Sequence, residues 1–316
     1  MTLRPSAIRV PVVPIVVCLA AVVIAPDMPY VGLPLCAAAL AAMAFDGRAL
    51  TAVLTASAAA GAVSFLGGIP AAIAVTPALA AILVAASSLR KRSALRTTAA
   101  LAFVLTAVFV AADVFAARMT GMVFTQFIAE STTQAASAAA ALAGSEVVAE
   151  QVGALAEFLA RTWPADYAVT GIISAVGIVT AIGWASRRVG VSTQRLPRLD
   201  SFDLSPWVLV APTAALVLLA VGRMNTPAIV TTLGLNVLLI VRPLFVWQGL
   251  AVTADWMRRG NVAPLGRIFV YAAVALVELL FLGLAMIGLI DLRANLRKIA
   301  RSDEAADEAP GPASGI

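Results

Sequence analysis

The stretch ALTAVLTASAAAGAVSFLGGIPAAIAVTPALAAILVAASSL, from Ala49 to Leu89, decides the fold class: 41 consecutive residues without a charge. As one helix it would extend about 60 Å at ~1.5 Å per residue. A hydrocarbon core of ~30 Å needs about 20 residues per crossing. The stretch therefore predicts two crossings, with the turn at Gly67-Gly68-Ile69-Pro70. Asp46-Gly47-Arg48 precedes it and Arg90, Lys91, Arg92 and Arg96 close it, as the basic ends of membrane helices should.

The remaining sequence repeats the pattern. Apolar runs lie at Val10–Ala25, Tyr30–Phe45, Thr97–Ala117, Tyr167–Ser186, Pro206–Gly222, Met224–Ala254 and Ile268–Ile290. Hydrophobic residues make up 61% of the 316 and charged residues 12%, half the charge of a soluble domain. The expected fold is an all-α membrane protein, a polytopic bundle of eight or nine transmembrane helices. Residues 1–117 hold about five of them and 165–292 about four. Between these, 118–164 carries Glu130, Glu146, Glu150 and Glu157 among Ala, Ser, Thr and Gln. It reads as an extracytoplasmic amphipathic helical segment. Residues 293–316 form a charged tail with a disordered composition.

Composition also excludes chemistry. The chain has no His, and its two Cys, Cys18 and Cys36, lie inside apolar runs. No His-ligated metal, His general base or disulfide framework is available. The net charge of +5 comes from 22 basic against 17 acidic residues. It belongs to loops that orient membrane helices, so no nucleic-acid partner is expected. No phosphate-binding loop with Lys, HExxH or G-x-S-x-G occurs. The chain is expected not to be an enzyme and to need no cofactor or metal.

The positive-inside rule places the N-terminus in the cytoplasm, with Arg48, Arg90–Arg96, Arg187–Arg198 and Arg258–Arg267 on that side. One conflict follows. Nine crossings would put Arg293, Arg297, Lys298 and Arg301 outside. Either that tail is an exception to the rule or one segment does not cross, and the short second run and the kinked eighth run are then the suspects.

Charged and polar residues inside apolar runs are few. Arg242, Glu278 and Asp113 are the charged ones, with Asn236 and Gln248 as polar neighbours. A charge at mid-bilayer costs at least ~2.5 kcal/mol on insertion scales and is usually paired or functional. Arg242 lies about 24 Å from Arg258 and Glu278 about 17 Å from Arg267 at ~1.5 Å per residue. On consecutive antiparallel helices an Arg side chain can bridge that offset. An Arg242–Glu278 pair is expected, structural or part of a ligand or proton site. If the register slips by a turn, Arg242 should face Asp113, or a cleft beside Pro243 shared with Asn236 and Gln248. Pro243 cannot donate its backbone hydrogen bond and is expected to kink the eighth helix. Small residues at Ala52, Ala56, Ala60 and Ser64, and at Gly171/Ala175 and Gly177/Ala181, are expected to let helices pack closely.

The C-terminal third carries recognisable strings: Leu196-Pro197-Arg198, Leu233-Gly234-Leu235-Asn236, Trp247-Gln248-Gly249-Leu250-Ala251, Trp256-Met257-Arg258-Arg259, and Ile287-Gly288-Leu289-Ile290-Asp291 followed by Arg293. In these it resembles the YybS-like family of bacterial membrane proteins, whose function is unknown. It is more distantly similar to the substrate-binding components of energy-coupling-factor transporters and to the rod-shape protein MreD. Those components meet their energising subunit through an Ala-x-x-x-Ala face. Ala21 and Ala25 have that spacing, but in so Ala-rich a chain composition accounts for it. The resemblance implies a multi-pass protein of the bacterial inner membrane. The function expected is transporter-like, binding a small solute or coupling to a membrane partner; the alternative is a cell-envelope scaffold without a ligand. Partners expected are the lipid bilayer and a membrane protein or a second copy of the chain. The sequence does not identify the small molecule.

Overall fold

The computed structural model describes residues 11–143, 146–224 and 227–299. Among them every regular element is helical. The chain divides into two compact units, 1–196 and 197–316.

The first unit contains α1 (Val12–Ile24), α2 (Pro29–Phe45), α3 (Ala49–Ser88), α4 (Ala94–Met119), α5 (Phe124–Ala143) and α6 (Glu146–Val189). Helix α2 is its centre, packed on α1, α3 and α6, while α4 and α5 also pack on α6. Leu33, Leu40, Met43, Leu79, Ile82, Leu105, Ile178 and Ile182 are fully buried between these helices. Small residues set the spacing. A Cβ on Gly171 of α6 would collide with the Thr106 hydroxyl and lie 2.9 Å from the Ala102 carbonyl oxygen of α4. Ala175, one turn along, is fully buried. Ala21 and Ala25 of α1 are buried against Gly32 of α2, so within this chain their spacing serves internal packing.

Two helices of this unit are broken. Helix α3 leaves helical geometry at Gly68, with φ +73° and ψ −171°, within the expected turn. A Cβ on Gly67 would sit 2.8 Å from that of Ala71, whereas neighbours four apart on a continuous helix are about 5–6 Å apart. The chain therefore bends sharply there. Helix α6 departs from helical geometry at Thr162, two residues before Pro164. The expected stripe on α3 is only half right. Ala52 and Ala56 are buried and Ala60 partly so, but Ser64 is exposed, its hydroxyl bonded to the Ala60 carbonyl. Steps of four overshoot the 3.6-residue turn by about 40° each. The buried face follows Ala52, Ala56, Ala59 and Val63 instead.

The second unit opens with two 3₁₀ turns, Leu199–Ser201 and Pro206–Leu209. Four α-helices follow: α7 (Val210–Gly222), α8 (Ala228–Arg259), α9 (Pro264–Phe281) and α10 (Gly283–Ala294). Helix α8 is the axis, with α7 and α10 packed along it. Helix α8 runs through all 32 residues with Pro243 inside it, so it is not broken there. The break falls instead in the last apolar run, Ile268–Ile290, expected to be one helix. Leu282 takes the left-handed conformation, φ 56°, and α9 and α10 meet at 97°. Neither suspect for a non-crossing segment is interrupted in this way.

By length and composition four helices can cross a membrane: α3, α4, α6 and α8; the bent α9–α10 pair would make a fifth. Helices α1 and α2 and the segment Pro206–Gly222 are apolar but shorter.

The α8–α10 crossing is the tightest contact of the second unit. A Cβ on Gly288 would collide with the Phe245 carbonyl and lie 2.9 Å from the Gly249 amide nitrogen. Lipid supplies no hydrophobic drive between helices, so such backbone approach carries much of the packing energy. Gly288→Ala should lower the thermal midpoint in detergent, by an overpacking cost of about 1–3 kcal/mol. Gly183→Ala, where a Cβ meets nothing within 4 Å, should be neutral or stabilising by up to ~1 kcal/mol through helix propensity. Equal midpoints for the two variants would contradict the crossing.

Candidate functional site

Of the five polar residues singled out in the sequence, Asp113 lies in the first unit and Asn236, Arg242, Gln248 and Glu278 in the second. Asp113 on α4 accepts a short hydrogen bond from the Tyr167 hydroxyl on α6, within the first unit. Trp163 stands edge-on to both Phe124, at 5.0 Å between ring centres, and Tyr167, at 5.9 Å. Asn236 is buried on α8 and its side-chain amide donates to the Thr232 carbonyl one turn back, at 2.8 Å.

Arg242 and Glu278 do meet. The guanidinium donates to Glu278 Oε1 through Nε at 3.0 Å and Nη2 at 2.8 Å. Nη2 also approaches the Glu278 carbonyl at 3.5 Å. The other carboxylate oxygen, Oε2, accepts the backbone N–H of Ala285 at 3.1 Å. That amide belongs to the first turn of α10, where helix N–H groups lack intrahelical partners. Glu278 thus joins α8 to the end of α9 and caps the start of α10 across the bend. The leucine at the bend contributes too: its N–H bonds the Glu278 carbonyl at 3.2 Å. Burial is uneven. The Glu278 side chain is 12% exposed and that of Arg242 39%. Arg242 Nη1 makes no hydrogen bond with any described residue.

Gln248 belongs to a second cluster, fully buried one residue from the Gly249 crossing. Its amide nitrogen donates to Asp203 Oδ1 at 2.9 Å and Asp291 Oδ2 at 2.8 Å, and its oxygen accepts the Leu204 N–H at 3.1 Å. Arg297, with a side chain 1% exposed, completes the cluster. It bonds Asp291 Oδ2 through Nε at 3.0 Å, Asp203 Oδ1 through Nη2 at 3.1 Å, and the Phe202 carbonyl through Nη1 at 2.6 Å. A buried charge of this kind is tolerable only when paired and hydrogen-bonded. The cluster ties the loop before α7, the middle of α8, the end of α10 and the following turn together. It continues outward: Arg258 bridges Asp200 and Asp255, at 3.0 and 2.8 Å, and Arg259 bonds Asp255 and the Arg297 carbonyl.

Sequence reasoning missed Asp203, Asp291 and Arg297 as a set. Asp291 closes an apolar helix and Arg297 follows it in what reads as a free tail. The legible signals were Gln248 inside a long apolar run, and two aspartates, Asp200 and Asp203, within an otherwise Arg-rich loop.

These helices, with charges paired inside apolar surroundings, define a polytopic helical membrane protein. Over residues 12–292 the chain matches the family described as "Predicted membrane protein (DUF2232)", and it belongs to that family. No curated protein and no solved structure gives a significant match.

The geometry of the Arg242–Glu278 pair predicts a mutational pattern. Arg242→Ala and Glu278→Ala should each destabilise the protein by roughly 1–3 kcal/mol, below the ~3–5 of a fully buried pair because Arg242 is partly exposed. Arg242→Leu combined with Glu278→Gln should recover most of the loss, since Gln keeps an acceptor for Ala285. Arg242→Leu with Glu278→Leu should recover less, because that cap is gone. Unfolding followed by intrinsic fluorescence in detergent decides it; stable single variants would show that the pair contributes little.

Proposed function

We propose that the chain is a non-enzymatic, transporter-like protein of the bacterial inner membrane that binds a small solute at the open side of Arg242. The observation that carries this reading is that Nη1 of a partly exposed guanidinium, about 24 Å along α8 from Arg258 at ~1.5 Å per residue, makes no hydrogen bond with any described residue. Such donors are not stable against lipid and call for water, a solute or a partner. The neighbouring bend adds to it: interrupted helices bearing charged groups near the membrane midplane are how transporters build binding sites. The ligand class that fits is one with a carboxylate, phosphate or carbonyl oxygen for the guanidinium.

The topology we propose has eight crossings and both termini in the cytoplasm. Helix α3 crosses twice through its Gly68 bend, and α9–α10 enters and returns. Support comes from Arg297, whose contacts with Arg259, Phe202 and Asp203 keep that residue beside the Arg258–Arg259 end of α8. Every cluster of basic residues then lies inside, and 118–164 lies outside. The resemblance to the YybS-like family agrees with a protein of this kind. A scaffold without a ligand is the second reading. It is favoured by the Gln248 cluster, whose members bond one another.

Arg242→Cys should react with a membrane-impermeant thiol reagent if the open side is hydrated, in a background where Cys18 and Cys36 are Ser. Native mass spectrometry of the wild type should show a bound small molecule that the stable Arg242→Leu/Glu278→Gln variant lacks. An unreactive cysteine together with a ligand-free wild type would favour the scaffold.

A further inference from the structure

A second feature of the same unit lies away from Arg242. An open groove of about 940 Å³ is lined by α7, the 3₁₀ turn before it and the last turn of α10. Trp207, Val210, Thr213, Ala214, Val217 and Arg293 are among its lining residues. Trp207 is 80% exposed. Arg293 is also exposed and makes no ion pair or hydrogen bond with any described residue. Both residues lie at the end of the unit held by the Arg297 cluster: Trp207 four residues after Asp203, Arg293 two after Asp291.

From these observations we infer that the groove holds one anionic phospholipid, its acyl chain along α7 and its phosphate on Arg293. Three features fit that occupant. From Pro206 to Leu218 the groove is roughly 18 Å long at ~1.5 Å per residue, close to the ~15 Å of one leaflet's share of a ~30 Å hydrocarbon core. Apart from Trp207 and Arg293 its wall is aliphatic except for Thr213, whose hydroxyl is already bonded to the Leu209 carbonyl at 2.8 Å. Arg293 is the one charged residue of the lining, which also holds an exposed Trp, the residue type that settles at headgroup level. A zwitterionic lipid offers the same tail and a phosphate, but without net charge it gains less from a single unpaired guanidinium. The site does not depend on a solute at Arg242.

The test is native mass spectrometry of the full chain titrated with phosphatidylglycerol and, separately, phosphatidylcholine of matched chains. The wild type should prefer phosphatidylglycerol by about fivefold, the worth of one basic residue at a membrane surface. Arg293→Gln should abolish the preference. Lys298→Gln, an exposed cation near the same end but outside the groove, should keep it. Ala214→Phe, which fills the groove, should weaken binding of both lipids, so the tail contribution is read independently of the charge. An equal loss in Arg293→Gln and Lys298→Gln would reduce the effect to diffuse charge and overturn the proposal. So would phosphatidylglycerol binding that appears only after residues 302–316 are removed, which would make the acidic tail the groove's occupant.

Discussion

The second unit depends on one carboxylate. Where α9 ends at Leu282, the first N–H groups of α10 lose their helical partners, and hydrocarbon offers none in return. Glu278 meets that constraint with one oxygen on Ala285 N–H and offsets its own charge with the other on Arg242. A carboxylate without the arginine would be too costly at that depth, and a bend without the carboxylate would strand backbone donors. The three features of ion pair, cap and turn therefore require one another.

From that bend α10 runs back along α8. Its glycine meets Gly249 and Phe245, Asp291 reaches Gln248, and Arg297 arrives among Asp203, Phe202 and Arg259. Leu284, Gly288 and Asp291 of α10 all meet α8 within residues 245–249, and the following turn brings Arg297 to Arg259. In the topology we propose, Arg293, Arg297 and Lys298 agree with the positive-inside rule, since Arg297 is bonded to Arg259 at the end of α8. Arg297 is spent on buried aspartates rather than on the membrane surface. Arg293 remains without a partner among the described residues, which is why the groove beside it can select for charge.

Much of this was legible in the sequence. Uncharged runs of crossing length gave the helices, the Gly67–Pro70 turn falls where α3 breaks, and the depths of Arg242 and Glu278 allowed their contact. The rest was not, for identifiable reasons. Pro243 drew attention as a helix breaker, yet a proline removes one hydrogen bond and α8 absorbs the loss while staying helical. Leu282 carries no local signal at all, since leucine in the left-handed region is held there by its surroundings and not by propensity. The Gln248 cluster joins residues 203, 248, 291 and 297, and partners so far apart along the chain leave no periodic trace. Ser64 failed because a strict four-residue spacing drifts off the buried face.

The central claim is that the chain after α10 emerges on the same side as the turn between α8 and α9. Single cysteines at Asn261 and Ser302, in a chain with Cys18 and Cys36 replaced by Ser, can be tested with an impermeant maleimide on vesicles of known orientation. Labelling of both positions from the same face, the one carrying Arg258 and Arg259, is the expected result. Labelling of Ser302 from the opposite face would mean that α9 and α10 together cross the membrane, and would contradict the return path.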